Sequence, residues 1–311
     1  NYGKLSGRTV LQADDGVSRI DYSKNKKNRG DFCLWKFSIE GEPNWSSPFG
    51  KGRPGWHIED TAITEKFFGP QYDIHGGGID LIFPHHEAEI SQMEAISGKK
   101  TLAKYWMHTG FLTMDGQKMS KSLGNTIIIN DFLKRHPYQH LRFWIAKNLW
   151  RSPINYSEST MVEVKLSLEK IEEFLRKVKN QKLNNKTTNQ KLKIIFKKAK
   201  ENFYKSLDDD FNTPKAFAVI FELIKEVNKF LDQNLIQKSQ ANEIYRFFEE
   251  INKIFGIIDF KNLKKSNVPD EVKKLLKARE DYRSSGDWQK ADEIRNEIGK
   301  YGYLLDDTKD G

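Results

Sequence analysis

An α/β fold is indicated most clearly by Tyr72-Asp-Ile-His-Gly-Gly-Gly-Ile-Asp-Leu-Ile-Phe-Pro-His-His-Glu-Ala-Glu89. The apolar residues at its start predict a strand that runs into a glycine loop, His75 to Gly78. Open α/β sheets place their ligand site where a strand ends in such a loop. Pro84 fits the first turn of a new helix that begins at His85. The stretch therefore predicts a strand, a site-forming loop and a helix.

The residues before this stretch alternate between ordered and irregular patterns. Residues 56–69 have apolar side chains at helical spacing, which predicts a helix. Residues 31–37 form a compact apolar run that fits either a buried strand or a first helical turn. Between these two segments, residues 41–55 contain three prolines and predict no regular structure. Residues 1–30 are polar and rich in turn residues, which predicts an exposed lobe with short strands.

From about residue 165 the pattern becomes helical. Thr213 and Pro214 predict the N-cap and first residue of a helix, and Gly256 predicts a helix end. A solvated loop is expected within 176–200, and residues 262–269 have the composition of a linker. Apolar stripes at a period of 3.6 residues lie in 217–231, 244–255 and 272–298.

Composition limits the function classes. The chain has 311 residues, enough for two or three domains with cores of their own. No run approaches the roughly 20 apolar residues that cross a bilayer. The net charge of +9 favours a polyanionic partner such as nucleic acid, although a lysine-rich composition can also reflect solubility alone. Cys33 is the single cysteine, which excludes an intramolecular disulfide and favours a reducing compartment.

A second candidate site is the loop Asp115-Gly-Gln-Lys-Met-Ser-Lys-Ser-Leu-Gly-Asn125. Gly116 and Gly124 allow a positive φ at either end, so the segment is expected to be a hinged surface loop. Lys118 and Lys121 carry ammonium groups that can meet phosphate charge, together with backbone N–H groups. A solvated basic turn is the alternative interpretation.

Six strings of the sequence together carry a resemblance to a known family. They are Tyr2-Gly-Lys-Leu-Ser6, Gly52-Arg-Pro-Gly-Trp-His-Ile-Glu59, His75 to Glu89, Lys118-Met-Ser-Lys-Ser122, Trp150-Arg-Ser-Pro-Ile-Asn155 and Asp208-Asp-Asp-Phe-Asn-Thr-Pro214. In both order and spacing they resemble cysteinyl-tRNA synthetases, a family of class I aminoacyl-tRNA synthetases. The resemblance runs from Tyr2 almost to Gly311.

The resemblance implies an α/β Rossmann-like catalytic domain, present here as its second half with the end of an inserted lobe. An α-helical anticodon-binding bundle and a small C-terminal domain are expected to follow. The implied boundaries are 1–50 for the end of the inserted lobe, 51–110 for the second half of the catalytic domain, 111–165 for a connecting segment with the mobile loop, 166–260 for the bundle and 261–311 for the C-terminal domain.

A metal site is implied at three positions. His85 and Glu89 are four residues apart and would share one helix face, as metal ligands or as a salt bridge. In the family these positions hold zinc together with two cysteines, one at the position of Asp60 and one further upstream. Because aspartate is a harder donor than cysteine, three alternatives stay open. Zinc binds through Asp60, His85, Glu89 and an upstream residue; another metal binds there; or the site is metal-free and recognises a thiol by packing.

The resemblance also implies roles around the substrates. Trp56, His75 and His85 would bind cysteine, and a core position is the alternative for Trp56. Lys118, Lys121, Ser120 and Asp80 would bind ATP. Lys118, Lys121 and His75 would be catalytic.

The implied reaction is activation of L-cysteine with ATP and Mg²⁺, followed by transfer to tRNA(Cys). A cytoplasmic monomer that does not contact membranes is expected. Bundle lysines would contact phosphate, or form a solvated charged face: Lys177, Lys179, Lys182, Lys186, Lys191, Lys193, Lys197 and Lys198. Three aromatic residues are candidates either for stacking on anticodon bases or for the core: Trp288, Tyr301 and Tyr303.

Two rival functions stay open. A first class I signature of the His-Ile-Gly-His type does not occur in this sequence, so these residues alone are not expected to activate cysteine. One rival is a ligase that joins adenylated cysteine to an amino sugar, and the basic bundle speaks against it. The other is a non-catalytic RNA-binding paralogue, which Asp60 and the absent first signature would favour.

Overall fold

The computed structural model describes most of the chain and divides it into two compact units, residues 1–258 and residues 259–311. The described residues are 2–8, 26–28, 31–120, 124–180, 188–264, 269–301, 303 and 305. The strands are β1 Trp35–Phe37, β2 Gly52–Pro54, β3 Tyr72–Gly78, β4 Ala103–Thr109, β5 Leu112–Met114, β6 Gln117–Lys118 and β7 Ile154–Tyr156. The helices are α1 Trp56–Phe68, α2 Glu87–Ser97, α3 Ile129–Arg135, α4 Tyr138–Ala146, α5 Glu158–Asn180, α6 Gln190–Asp208, α7 Thr213–Asp232, α8 Lys238–Phe255, α9 Asp270–Ser284 and α10 Trp288–Lys300.

The α/β core of the first unit is a pair of parallel strands, β3 and β4, joined through α2. Parallel neighbours need such a crossover, and α2 buries its apolar face around Ile90 and Met93. The expected strand is confirmed, but the expected glycine loop is wrong. The three glycines belong to β3, because the pairing with β4 continues as far as Gly78 opposite Thr109.

The helix after Pro84 begins later than expected. Phe83 is extended, with φ −137° and ψ 133°, as sterics favour for a residue before proline. A short 3-10 turn and a π-type turn fill residues 79–86, and α2 begins at Glu87. His85 therefore lies in the turn before the helix rather than at its start.

The proline-rich segment also differs from expectation. Gly52–Pro54 is a strand that pairs antiparallel with Trp35–Phe37, so residues 41–55 do contain regular structure. Pro54 is tolerated because this is a two-stranded ribbon with open edges. The strand interpretation of residues 31–37 is confirmed, but Phe37 is exposed rather than buried.

Helix α1 is confirmed over Trp56–Phe68, although its apolar side chains are not in a core. Thr61 is its buried residue, whereas Ile63 and Phe67 are exposed. The helical spacing of these residues reflects an apolar stripe that is not covered by the described residues.

The connecting segment is built on a three-stranded sheet in the order β6-β5-β7. Asp115 and Gly116 both have positive φ, 49° and 79°, as a tight two-residue hairpin turn requires. The mobile-loop motif therefore starts as a β-hairpin. The positive φ expected at Gly116 and Gly124 is confirmed.

Helices α5 to α8 form a bundle with a core of aliphatic and aromatic side chains. The apolar stripes expected in 217–231 and 244–255 are confirmed, and Gly256 ends α8 in the left-handed conformation. The N-cap of α7 is Asn212 rather than Thr213, because the Asn212 side chain accepts the Lys215 N–H. The largest buried bundle residues include Phe174, Phe203, Phe247 and Phe248.

The second unit contains α9 and α10, which pack against each other through Val272, Ala291 and Ile298. Residues 262–264 form a short 3-10 turn inside the expected linker. Among the residues that the structure describes, no helix combines the length and apolar composition of a bilayer-crossing segment.

Candidate metal and substrate site

Four elements bring imidazoles and carboxylates together at one point. Helix α1 carries His57 and Asp60 one turn apart, and β3 carries His75. The π-type turn supplies His85, and the first turn of α2 supplies Glu89. The cluster forms because β3 ends beside the turn that begins α2, and α1 packs against both the turn and α2.

The three expected metal ligands lie in contact with one another. His85 Nε2 is 2.7 Å from Asp60 Oδ2 and 2.8 Å from Glu89 Oε1. One ligand atom of each residue lies within 4.8 Å of the other two. The i, i+4 relation of His85 and Glu89 thus brings them together although His85 precedes the helix.

His57 orients His85 from the opposite side of the ring. The two Nδ1 atoms are 2.6 Å apart. Burial, together with the charge of His85, lowers the pKa of His57 to about 4. Burial alone would lower the pKa of His85, but hydrogen bonding and charge from Glu89 and Asp60 outweigh burial and raise it. The contact between the two Nδ1 atoms holds the His85 ring so that its Nε2 is directed at the carboxylates.

The donor set fits a divalent cation with mixed nitrogen and oxygen ligands. Glu89 is almost fully buried, and its Oε1 shares the single ring nitrogen His85 Nε2, at 2.8 Å, with Asp60 Oδ2 at 2.7 Å. Two carboxylates that face one imidazole nitrogen, one of them buried, are costly, and a bound cation would compensate their charge. Asp60, His85 and Glu89 supply one imidazole and two carboxylates, which zinc accepts in sites with an open fourth position.

Trp56 lies next to the cluster but is not a core residue. Its ring stacks on His85 with a centroid distance of 4.1 Å, and 54% of the residue is exposed. The first turn of α1 therefore forms an aromatic wall beside the candidate metal position, and a small side chain could pack there.

His75 and Asp80 occupy the end of β3 and the turn that follows it. The Tyr72 hydroxyl lies 2.6 Å from His75 Nδ1, and His75 Nε2 faces Glu89 Oε2 at 3.3 Å. Burial lowers the pKa of His75, which favours the neutral form of its ring. Asp80 is exposed in the 3-10 turn.

Asn125 makes two local hydrogen bonds within the mobile-loop motif. Asn125 Oδ1 accepts the Ser120 N–H at 2.9 Å, and Asn125 Nδ2 donates to the Lys118 carbonyl at 3.2 Å. The Lys118 ammonium lies 4.2 Å from the centre of the Phe111 ring. Lys121, with Ser122, lies outside the described residues.

Several residues of this region were not assigned roles from the sequence. His57 could have been chosen from the sequence because it belongs to the Gly-Trp-His-Ile-Glu string. His108 contacts His86, with His86 Nδ1 2.8 Å from His108 Nε2. Its position on β4, the strand next to β3, is the feature that could have indicated this contact. Glu87 binds the backbone of residues 3–6, and no sequence pattern indicates that contact.

Comparison with known proteins matches three family models to consecutive parts of the chain. The tRNA synthetases class I (C) catalytic domain matches residues 1–166, and the DALR domain matches residues 202–259. The cysteinyl-tRNA ligase anticodon binding domain matches residues 265–311.

Curated relatives agree over nearly the whole chain. A cysteine–tRNA ligase of Thermodesulfovibrio yellowstonii is 39% identical over 327 residues, which cover 99% of this chain and 67% of that protein. A cysteine–tRNA ligase of Methanococcus maripaludis strain C7 is 42% identical over 319 residues, 99% of this chain and 66% of that protein. The chain thus spans about two thirds of the length of these relatives.

One solved structure also shows similarity, the ternary complex of Agrobacterium radiobacter K84 LeuRS with tRNA and LeuAMS. Its TM-score is 0.47 at 14% identity, covering 64% of this chain and 30% of that one. Similarity at this level supports no conclusion. The catalytic-domain match and the identity to the curated relatives are sufficient by themselves. The chain belongs to the cysteinyl-tRNA synthetase family of class I aminoacyl-tRNA synthetases, with a class I catalytic domain followed by a helical DALR domain.

Proposed function

We propose that this protein is a cysteine–tRNA ligase, which activates L-cysteine with ATP and transfers it to tRNA(Cys). The observation that carries the proposal is the cluster of Asp60, His85 and Glu89 with Trp56 stacked on His85. It combines a candidate cation site with an adjacent aromatic ring, and the two are close enough to contact the side chain of a small amino acid at the same time. Family membership supplies the reaction class.

We assign cysteine recognition to Trp56, His75 and His85. Trp56 packs against the side chain, and its position beside His85 sets the depth of the pocket. His57 keeps His85 Nε2 directed into the site, and Tyr72 does the same for His75. Zinc held by Asp60, His85 and Glu89 would bind a thiolate far better than a hydroxyl, so cysteine would be preferred to serine.

The Asp60 ligand can be tested directly. Replacement of Asp60 by cysteine exchanges a hard carboxylate for a soft thiolate. We expect the zinc affinity of the Asp60→Cys variant to rise at least about tenfold, or ~1.4 kcal/mol, in competition with a chromophoric chelator. Glu59→Cys, on the preceding residue of α1, is the matched control. Equal zinc affinity for wild type and Asp60→Cys would place the cation elsewhere.

ATP binding is assigned to the loop that begins at Lys118. The cysteine carboxylate attacks the α-phosphorus of ATP, the bond to the bridging oxygen breaks, and pyrophosphate leaves; Mg²⁺ would neutralise part of the phosphate charge. Lys118 and Lys121 meet the negative charge that develops on the phosphoryl oxygens, and Ser120 and Asp80 position the nucleotide. Because Lys118 rests on Phe111, loop closure would have to exchange this cation–π contact for phosphate.

tRNA binding is assigned to the bundle and the C-terminal unit. The described lysines of the expected set are exposed, and Lys177 and Lys197 pair with glutamates of their own helices. In the second unit, Trp288 and Tyr301 are exposed rather than core residues, so their rings are available for stacking on bases. The family model for a cysteinyl-tRNA ligase anticodon binding domain matches residues 265–311 of this second unit.

The proposal is tested by charging assays on the protein expressed from its natural gene. We expect transfer of labelled cysteine to tRNA(Cys), and none to glucosamine or inositol-linked amino sugars. A Lys121→Ala variant should lose activation by orders of magnitude without a change in thermal unfolding, whereas the exposed Lys193→Ala control should retain it. Transfer to an amino sugar alone would establish the ligase alternative. Binding of tRNA without any activation would establish the non-catalytic alternative.

A further inference from the structure

The carboxylate of Glu89 faces two different sets of imidazoles with its two oxygens. Oε1 points to His85, as described above, whereas Oε2 lies 3.3 Å from His75 Nε2. On the Oε2 side, His75, His86 and Glu89 each offer one ligand atom within 4.8 Å of the other two. We propose that these three residues form a second divalent-cation site that binds zinc independently of Asp60 and His85.

The ligands are placed by rigid elements rather than by a loop. His75 lies in β3, where its neighbours are paired with β4. His86 and Glu89 are three residues apart at the start of α2, so their side chains lie on the same helix face. Both His86 and Glu89 are almost completely buried, and His75 is the partly exposed member that gives access to solvent. The site is therefore preorganised and has one open side.

Both imidazoles make a hydrogen bond through a second ring nitrogen, as metal-bound histidines normally do. His75 Nδ1 is 2.6 Å from the Tyr72 hydroxyl, and His86 Nδ1 is 2.8 Å from His108 Nε2. A histidine ligand usually hydrogen-bonds through its second ring nitrogen, which fixes the tautomer that leaves the other nitrogen free for the metal. With the proton on Nδ1, His75 and His86 both present an unprotonated Nε2.

The backbone leaves space for this arrangement of rings. A Cβ atom at Gly77 would lie 2.8 Å from His86 Cε1 and 3.1 Å from His86 Nε2. The glycine in β3 therefore allows the His86 ring to lie directly against the strand that carries His75. Trp106 covers the rings from β4, with centroid distances of 4.7 Å to His75 and 5.2 Å to His86.

Ligand chemistry favours zinc at this position. The set of two imidazoles and one glutamate is a combination found in catalytic zinc sites, which keep a fourth position for water or substrate. The neighbouring set of Asp60, His85 and Glu89 has one imidazole and two carboxylates, which is a harder and less zinc-selective environment. Since the two sets use different oxygens of Glu89, occupation of one does not remove the ligand of the other.

The experiment measures zinc stoichiometry by equilibrium dialysis and elemental analysis on the full chain. The double variant Asp60→Ala/His85→Ala removes the neighbouring set and is expected to retain one equivalent of zinc. His75→Gln and His86→Gln, each added to that double variant, are expected to abolish binding. Cobalt(II) in place of zinc should give the visible absorption of a low-coordinate site in the double variant and lose it in both triple variants.

Controls separate ligand loss from misfolding. Far-UV circular dichroism and thermal unfolding are recorded for each variant, and His75→Gln gives the result if His86→Gln does not fold, because His75 is partly exposed. His108→Ala removes the hydrogen bond to His86 together with the ring that stacks on Trp106, and should weaken zinc binding roughly 10- to 100-fold in the double-variant background. A folded double variant without zinc would overturn the proposal, as would zinc that persists when His75 and His86 are replaced. Neither result depends on aminoacylation activity.

Discussion

Glu87 lies in the same turn of chain as the histidine cluster and anchors a remote segment to it. Its buried carboxylate accepts the N–H groups of Gly3 at 3.0 Å, Leu5 at 2.6 Å and Ser6 at 2.7 Å, and also the Ser6 hydroxyl at 3.0 Å. We predict that Glu87→Gln releases residues 2–8 without unfolding the α/β core.

The magnitude follows from the contacts. Hydrogen bonds to a charged acceptor contribute roughly 1.5–3 kcal/mol, and neutral ones roughly 0.5–1.5 kcal/mol. In Glu87→Gln the remaining carbonyl oxygen still accepts from the Leu5 N–H, the Ser6 N–H and the Ser6 hydroxyl, but these three hydrogen bonds become weaker because the acceptor is neutral. The NH₂ group takes the place of the second oxygen and faces the Gly3 N–H, so that the fourth hydrogen bond is lost. One lost bond and three weakened bonds cost about 4–6 kcal/mol. The lower cost of burying a neutral group offsets part of this, which leaves ~3 kcal/mol for local opening.

The assay is native-state hydrogen exchange of the peptide that contains Leu5 and Ser6. An opening free energy lower by ~3 kcal/mol corresponds to exchange faster by about 100-fold. Glu94→Gln is the matched control on the same helix, because Glu94 pairs with the partly exposed Lys4, an interaction of at most about 1 kcal/mol. Exchange of the Leu5 amide within threefold of wild type in Glu87→Gln would refute the anchoring role.

Asn125→Ala should raise the exchange rate of the Ser120 amide roughly tenfold with no change in thermal unfolding, since the two hydrogen bonds that Asn125 makes to described residues lie within the loop. An unchanged exchange rate would contradict this role of Asn125. Burial lowers the pKa of His140 below its value of about 6.5 in the unfolded chain. Below pH 6.5 the unfolded state therefore binds more protons than the folded state, and the free energy of unfolding falls as the pH drops. His140→Gln should flatten this fall in urea titrations, and an identical pH profile would contradict it. Phe248→Ala should cost roughly 3–5 kcal/mol in the same titrations, whereas the exposed Ile194→Ala should cost under about 0.5 kcal/mol; equal effects would contradict the assigned core.

Local sequence rules predicted the helical part of the molecule well. The stripe that ends at Gly256 forms α8 as expected, because period, apolar face and left-handed C-cap all agree. The same rules failed at β3, where the three glycines predicted a loop but form part of a strand that is paired with β4. Glycine propensity is a local property, and the pairing partner lies about 30 residues away in the chain.

The candidate site was predictable only in its residue types. Asp60, His85 and Glu89 could be proposed from spacing and resemblance, and the structure brings them into contact. The orienting role of His57 depends on how α1 packs against the turn that carries His85, which no periodicity encodes. The anchoring role of Glu87 likewise depends on a contact made more than 80 residues apart.

The central claim is tested most directly by cysteine-dependent exchange between ATP and pyrophosphate, measured on the protein expressed from its natural gene. Exchange isolates the activation step from tRNA binding, and serine serves as the matched substrate because it differs only in the atom that a cation would recognise. We expect rapid exchange with cysteine and little exchange with serine. A folded protein that gives no exchange with cysteine, or equal exchange with serine, would contradict it.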